Sequence, residues 1–324
     1  MTALRGQLLG YLEAVAAASL WGSSGIFAVY LFRMGVPPES LALLRPLVGG
    51  AVLLLAVAAF KGPRSLGVDV GGLAVLVLGG GVTIGIFQVA YQLSTDAVGV
   101  PSTVALLYLA PAVVAAASGP LLGEWPDRTR IALLVVTLSG IWISVLGAHE
   151  VASTFGNRGV GWGVLAGVSY GGYTLFGRFA APRYGALRTV VYTTLGSVAF
   201  LALVLPVASG PVVWPSSAGA WLLLLAFSIL TIAAAHFLFF DALARIDASR
   251  ASIATAVEPV VAGVLATLLL SQGLSAVGWL GIALVAAGVA GVGVTARRGR
   301  ATTPPALGSA EGSARGAEGS AGSG

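Results

Sequence analysis

The chain is 324 residues long, 57% hydrophobic and only 9% charged, whereas a soluble globular domain carries about a quarter charged residues; a water-soluble protein is excluded. It has no cysteine, so disulfides, thiolate metal sites and thiol chemistry are excluded as well. Its formal charge of +5 comes from basic residues spread along the loops rather than gathered on one element, which argues against a nucleic-acid partner.

From about Leu8 to Ala296 the chain is a succession of apolar segments of roughly 20 residues, the length a helix needs to cross a hydrocarbon core of about 30 Å. Their unbroken hydrophobicity lacks the alternation of barrel strands, so the fold class expected is an all-α integral membrane protein. The first span, roughly 8 to 32, follows Arg5 as a signal peptide would, but it runs on to about Leu31 and further spans follow, so it reads as retained. It carries Trp21. The second, roughly 39 to 60, holds Arg45 about six residues from one end. There Arg45 either snorkels outward or turns inward to grip a carboxylate with its fork of donors.

The third span, roughly 71 to 94, carries Gln88 and Tyr91; the fourth, roughly 99 to 122, carries Tyr108 and Pro111. Beyond it, Glu124 beside Trp125-Pro126 reads as ordering a turn. The fifth is roughly 129 to 148, and 149–159 is an outer linker. The sixth (roughly 160 to 181) holds Tyr173, the seventh (roughly 187 to 208) Tyr192 and the eighth (roughly 218 to 244) His236. The ninth, roughly 249 to 270, contains Thr255-Ala-Val-Glu258-Pro259, and the tenth runs roughly from 275 to 296. Residues 297–324 read as a disordered Gly, Ser and Ala-rich cytoplasmic tail.

Positive charge orients these spans, because cytoplasmic loops carry the excess of Lys and Arg. With both termini inside, 14 of the 17 basic residues fall at inner loops or tails, Arg33 and Arg158 fall outside, and Arg45 lies within a span. The chain also repeats itself. Phe87-Gln-Val-Ala-Tyr91 lies over Ala235-His-Phe-Leu-Phe239, and Ala110-Pro111 over Glu258-Pro259, at an offset of 148 residues. Ser19-Leu-Trp-Gly22 lies over Ser169-Tyr-Gly-Gly172 at 150. Five spans is an odd number, so the second half, 160–296, enters the bilayer opposite to the first, 8–148. The expectation is an inverted-topology 5+5 repeat around a central cavity, an architecture suited to alternating access. Pro111 and Pro259, equivalent in the repeat and near mid-membrane, should each kink its helix, since each removes an amide donor and clashes four residues back.

Ser19-Leu-Trp-Gly-Ser-Ser24, the arginine of Leu43-Leu-Arg-Pro46, and Tyr108-Leu-Ala-Pro111 running to Leu122-Gly-Glu124 resemble the drug/metabolite transporter superfamily, in its ten-span bacterial branch with two EamA-type domains. The resemblance implies a secondary transporter of the bacterial inner membrane, commonly an exporter of amino acids, aromatic ones among them, or of related metabolites. The chain departs from the pattern in its second half, with Gln272 in the place of Glu124 and Gly171-Gly172 in that of Trp-Gly.

Ionisable residues within spans are costly and need a reason. Glu258, about nine residues into its span, either carries a proton, holds a substrate ammonium, or is a neutral acid bonded to carbonyls of the broken helix. His236 and Gln88, paired by the offset, either pack against neighbours or line the cavity. Trp21, Tyr91, Tyr108, Tyr173 and Tyr192 sit at depths suited to a cavity wall. Together these residues suit a small zwitterionic or amphipathic solute, with protons as a second partner and a monomer as a plausible assembly. Neither metal, cofactor nor catalytic residues are expected: Gly-x-x-x-x-Gly-Lys, His-Glu-x-x-His and clustered carboxylates within spans are all absent from the sequence. Export of drugs or other amphipathic metabolites stays open as an alternative, and so does a passive channel, although scattered polar singletons supply no continuous pore stripe.

Overall fold

In hydrocarbon a backbone has no water to bond to, so each segment must satisfy its own N–H and C=O groups, and a helix does so. The computed structural model describes residues 2–122, 128–147, 158–246 and 254–301, and these are nearly all helical. In chain order they are α1 (Thr2–Gly22), α2 (Ser24–Arg33), α3 (Pro38–Phe60), α4 (Val70–Ala74), α5 (Val82–Leu107), α6 (Ala110–Leu122) and α7 (Arg128–Leu146). Then follow α8 (Arg158–Tyr184), α9 (Ala186–Ala208), α10 (Ala218–Ser228), α11 (Ala235–Arg245), α12 (Glu258–Leu270) and α13 (Ala276–Ala301). Two π-helical turns, Val75–Gly81 and Ile229–Ala234, join α4 to α5 and α10 to α11. Most of the expected outer linker, the turn at Glu124 and the tail beyond Ala301 lie outside the described residues.

Among the described residues five stretches are long and apolar enough to cross a membrane: Gly6–Arg33, Pro38–Phe60, Val70–Ala117, Ala186–Ala208 and Ala218–Phe239. Three shorter apolar helices accompany them, Ile131–Leu146, Glu258–Leu270 and Ala276–Gly291. The 48 residues of Val70–Ala117 would extend about 70 Å as one straight helix, more than twice the hydrocarbon thickness. They double back at Gly99, whose φ of 78° and ψ of 169° only glycine adopts readily. The hydrogen bond between Ser94 Oγ and Thr103 Oγ1, 2.9 Å long, proves the reversal. Residues nine apart on a continuous helix would be separated by about 13 Å.

Just before the two prolines, where the sequence leads one to expect kinks, the helical pattern is interrupted. The helical pattern lapses at Tyr108–Leu109 and again at Ala256–Val257, then resumes at Ala110 and Glu258, so that Pro111 and Pro259 each stand second in a new helix. In a first turn the missing amide costs nothing, because those donors have no intrahelical partner anyway. Around the first break the chain tightens to bonds three residues back, Tyr108 N to Ala105 O and Leu109 N to Leu106 O, both 3.1 Å.

At the Gly99 end of the bundle the elements are stitched by polar bonds. Val100 N donates to Gln272 Oε1 (3.0 Å), Tyr30 Oη to Leu269 O (3.1 Å) and Val213 N to Ser40 Oγ (2.9 Å). Next to these lie two apolar clusters. One packs Ile26 and Val29 of α2 against Val100 and Val104 of α5 and Ala262 and Ala266 of α12. The other packs Leu31, Leu41 and Leu44 against Leu224 and Phe227 of α10. Near the opposite end Arg245 joins α11 to α1 through Glu13 Oε2 (3.1 Å) while also pairing with Asp241 (2.6 Å).

Candidate functional site

Between the breaks and the π turn of Ile229–Ala234 lies a cavity of about 260 Å³. Its first pole is Arg45 on α3, which is only 7% exposed and turns into the cavity rather than snorkelling outward. Its Nη1 donates to Gln88 Oε1 (3.1 Å), and its Nε and Nη2 donate to Thr231 Oγ1 (3.2 and 3.0 Å). The Thr231 hydroxyl spends its own proton on Phe227 O (2.7 Å), which leaves its lone pairs for the guanidinium. The Phe227 ring, 4.7 Å from the guanidinium carbon, adds a cation–π contact.

The second pole is Glu258, the first residue of α12, and Tyr108 on the first helix break donates to its Oε2 (3.2 Å). The two breaks therefore meet across the cavity through one hydrogen bond. Gly22 makes room for this arrangement, since a Cβ there would come within 2.8 Å of the Glu258 carbonyl oxygen. Among the described residues neither Arg45 nor Glu258 has an ion-pair partner. Neutral groups hold both, Gln88 and Thr231 at Arg45 and Tyr108 at Glu258. Tyr91 lines the same cavity.

Aromatic rings make the walls. Phe87 packs on Tyr91 and Tyr170 with centroids 5.8 and 5.3 Å apart, and Trp21 packs on His236 and Phe239 at 5.5 and 5.3 Å. His236 Nδ1 lies 2.7 Å from the carbonyl of Ile232. A carbonyl only accepts, so Nδ1 carries a proton and Nε2 is the ring's second polar atom. Tyr173 also lines the cavity, its hydroxyl 3.3 Å from Thr193 Oγ1.

Of the residues singled out from the sequence, Arg45, Gln88, Glu258, His236, Trp21, Tyr91 and Tyr173 face this one cavity, and Tyr108 touches it through Glu258. Tyr192 does not belong to it. Its hydroxyl donates to Leu66 O (2.7 Å) and, with Arg188 Nε on Ser65 O (2.9 Å), fastens the 3₁₀ turn Pro63–Leu66. The sequence reading missed Thr231, Tyr170, Phe87, Ser24 and Ser197, all on the wall. Tyr170 was within reach of that reading, since it precedes the Gly171-Gly172 pair already aligned with Trp-Gly.

The EamA-like transporter family matches the chain twice, over residues 8–146 and 157–294. The uncharacterized inner membrane transporter YicL of Salmonella typhimurium is 24% identical over 307 residues, covering 89% of this chain and 96% of its own. The uncharacterized transporter YwfM of Bacillus subtilis is 25% identical over 295 residues, covering 89% of this chain and 94% of its own. A solved crystal structure, 23% identical, covers 89% of this chain and 98% of its own with a TM-score of 0.64, a likeness of fold. Two matches that together span most of the sequence, on a helical chain with several apolar spans around a polar-lined cavity, establish a membrane transporter rather than an enzyme: the chain belongs to the EamA-like transporter family.

Proposed function

We propose that the protein is a secondary transporter that exports small zwitterionic metabolites, amino acids foremost, by alternating access. The observation that carries this reading is the pairing of a buried cation and a buried acid, Arg45 and Glu258, on one cavity, neither with an ion-pair partner among the described residues. An α-amino acid supplies both missing charges. Its carboxylate completes Arg45, whose fork suits two oxygens, and its ammonium completes Glu258. The cavity, at about 260 Å³, lies below the range of about 300–1,000 Å³ that takes drug-sized ligands. Its aromatic walls favour an apolar side chain on the solute.

In this reading the chain consists of two inverted five-span halves, 8–148 and 160–296, with both termini cytoplasmic as the distribution of basic residues implies. The breaks before Pro111 and Pro259 are the hinges about which the halves exchange inward-open and outward-open states. Glu258 takes a proton when the ammonium leaves, which spares the empty site a bare charge and couples export to proton entry.

Counterflow tests the assignment. Liposomes containing the protein are loaded with unlabelled amino acids, and uptake of the labelled ones is followed, with Glu258→Gln in parallel. Wild-type protein is expected to accumulate label, and the variant to lose proton-driven transport. Absence of counterflow with every amino acid, from folded protein, would overturn the substrate assignment and redirect the search to larger amphipathic metabolites.

A further inference from the structure

A second cavity, of about 490 Å³, lies between the end of α3, the start of α9 and α11, and meets the central cavity at two shared residues, Val190 and His236. Its walls are almost wholly apolar, and two of them, Phe60 and Phe237, are 87% and 70% exposed on the outside of the bundle. In a chain that spans a bilayer, such side chains face acyl chains. The groove is therefore continuous with hydrocarbon on one side and with the back of the transport cavity on the other.

Its mouth is polar. Lys61, one residue past the end of α3, and Asp241 of α11 both line it. Asp241 pairs at 2.6 Å with Arg245, which it shares with Glu13. Lys61 is exposed and has no ion-pair partner among the described residues. An apolar trough that opens to lipid and ends at an unpaired ammonium matches one abundant molecule in both parts: a phospholipid, with an acyl chain in the trough and its phosphate at Lys61.

We propose that the groove between α3, α9 and α11 is a binding site for one bilayer phospholipid, whose chain packs behind Val190 and His236 and completes the wall of the transport cavity. His236 suits that position. Its ring is locked by Nδ1 on the Ile232 carbonyl (2.7 Å) and by its edge-to-face contact with Trp21, so it acts as a rigid partition with lipid on one side and solute on the other. The site is independent of which solute is carried.

Photo-crosslinking tests this. The full chain is reconstituted with a trace of phosphatidylethanolamine bearing a diazirine on one acyl chain, irradiated, and mapped by mass spectrometry. Lipid that merely surrounds the bundle would label all lipid-facing positions alike, including Val207 and Leu222, which are 90% and 69% exposed. A specific site concentrates label on Leu53–Phe60 and Ala233–Phe237 above those controls. Ala56→Trp, which fills the groove without touching the central cavity, is expected to reduce that labelling on the order of tenfold. Lys61→Gln should reduce it about fivefold, the weight of one basic residue at a bilayer surface. Labelling in the groove no denser than at the controls, or unchanged in Ala56→Trp, overturns the proposal. Should Ala56→Trp fail to fold, Lys61→Gln decides, and full labelling there overturns the phosphate seat.

Discussion

The two halves of the chain, aligned at their offset of 148 residues, interrupt their helices at the same place. Each interruption, Tyr108–Leu109 and Ala256–Val257, is followed by a helix of 13 residues with proline second. They differ in the side chains they present. Where the second half places Glu258 the first has Ala110, and where the first places Tyr108 the second has Ala256. Gln88 corresponds to His236. The backbone device is duplicated, whereas the charges are divided, the cation coming from one half and the acid from the other. Two acids at equivalent breaks would repel across a low-dielectric cavity. One pole from each half instead gives a dipolar cavity, which under the proposed function a zwitterionic solute would bridge.

Removing the cationic pole should produce the largest effect. Truncating one partner of a buried, hydrogen-bonded charge pair costs about 2–5 kcal/mol, so Arg45→Gln is expected to raise the half-saturation concentration in counterflow about a hundredfold. Arg45→Lys should recover only part of this, because a single ammonium cannot serve Gln88, Thr231 and a carboxylate as the fork does. A variant equal to wild type would remove Arg45 from the site.

The next largest effect tests whether the halves are interchangeable. Ala110 is 4% exposed, so Ala110→Glu buries a second carboxyl and should destabilise the protein by about 2 kcal/mol, visible as a lowered thermal midpoint in detergent. The double change Ala110→Glu with Glu258→Gln moves the acid to the other break. It should not restore transport, because the residue equivalent to Tyr108 is Ala256 and offers no hydroxyl there. Full activity in the double variant would show that only the presence of an acid matters, whichever half supplies it.

How far the site was legible in the sequence depended on the rarity of each residue in its surroundings. Arg45, Glu258 and His236 stood out because charge or polarity inside an apolar span is costly, and the repeat singled out Gln88 and the two prolines. Thr231 gave no such sign. A threonine in an apolar helix is ordinary, and only the π turn of Ile229–Ala234 and the approach of α3 make it the acceptor of two Arg45 bonds. Tyr192 misled for the opposite reason, since depth alone does not set which way a ring points, and this one reaches out to Leu66. The prolines marked the places where the helical pattern lapses.

Smaller effects separate the backbone from the side chains. Gly99 reverses the chain in the first half, and the offset pairs it with Asp247, which lies outside the described residues. Gly99→Ala should cost about 1–3 kcal/mol, the strain of a side chain in that region of φ and ψ, and its Cβ would also press on Gln272 Oε1 at 3.1 Å. The expected result is lower thermal stability with unchanged solute preference. A shift in preference at unchanged stability would mean that the hairpin shapes the site directly.

The smallest expected effect isolates the contact between the breaks. Tyr108 donates to Glu258 across 3.2 Å, longer than the usual 2.5–3.0 Å of hydroxyl–oxygen bonds, so its loss belongs near the low end of the range for charged partners, about 1.5 kcal/mol. Tyr108→Phe keeps the ring and should weaken counterflow about tenfold at limiting solute. Ala256→Tyr, the mirror change, meets Ala110 instead of an acid and should confer no gain when added to Tyr108→Phe. If it did restore transport, the hydroxyl would be acting on the hinge itself, and the division of roles between the two halves would have to be redrawn around the backbone breaks rather than around the charges they carry.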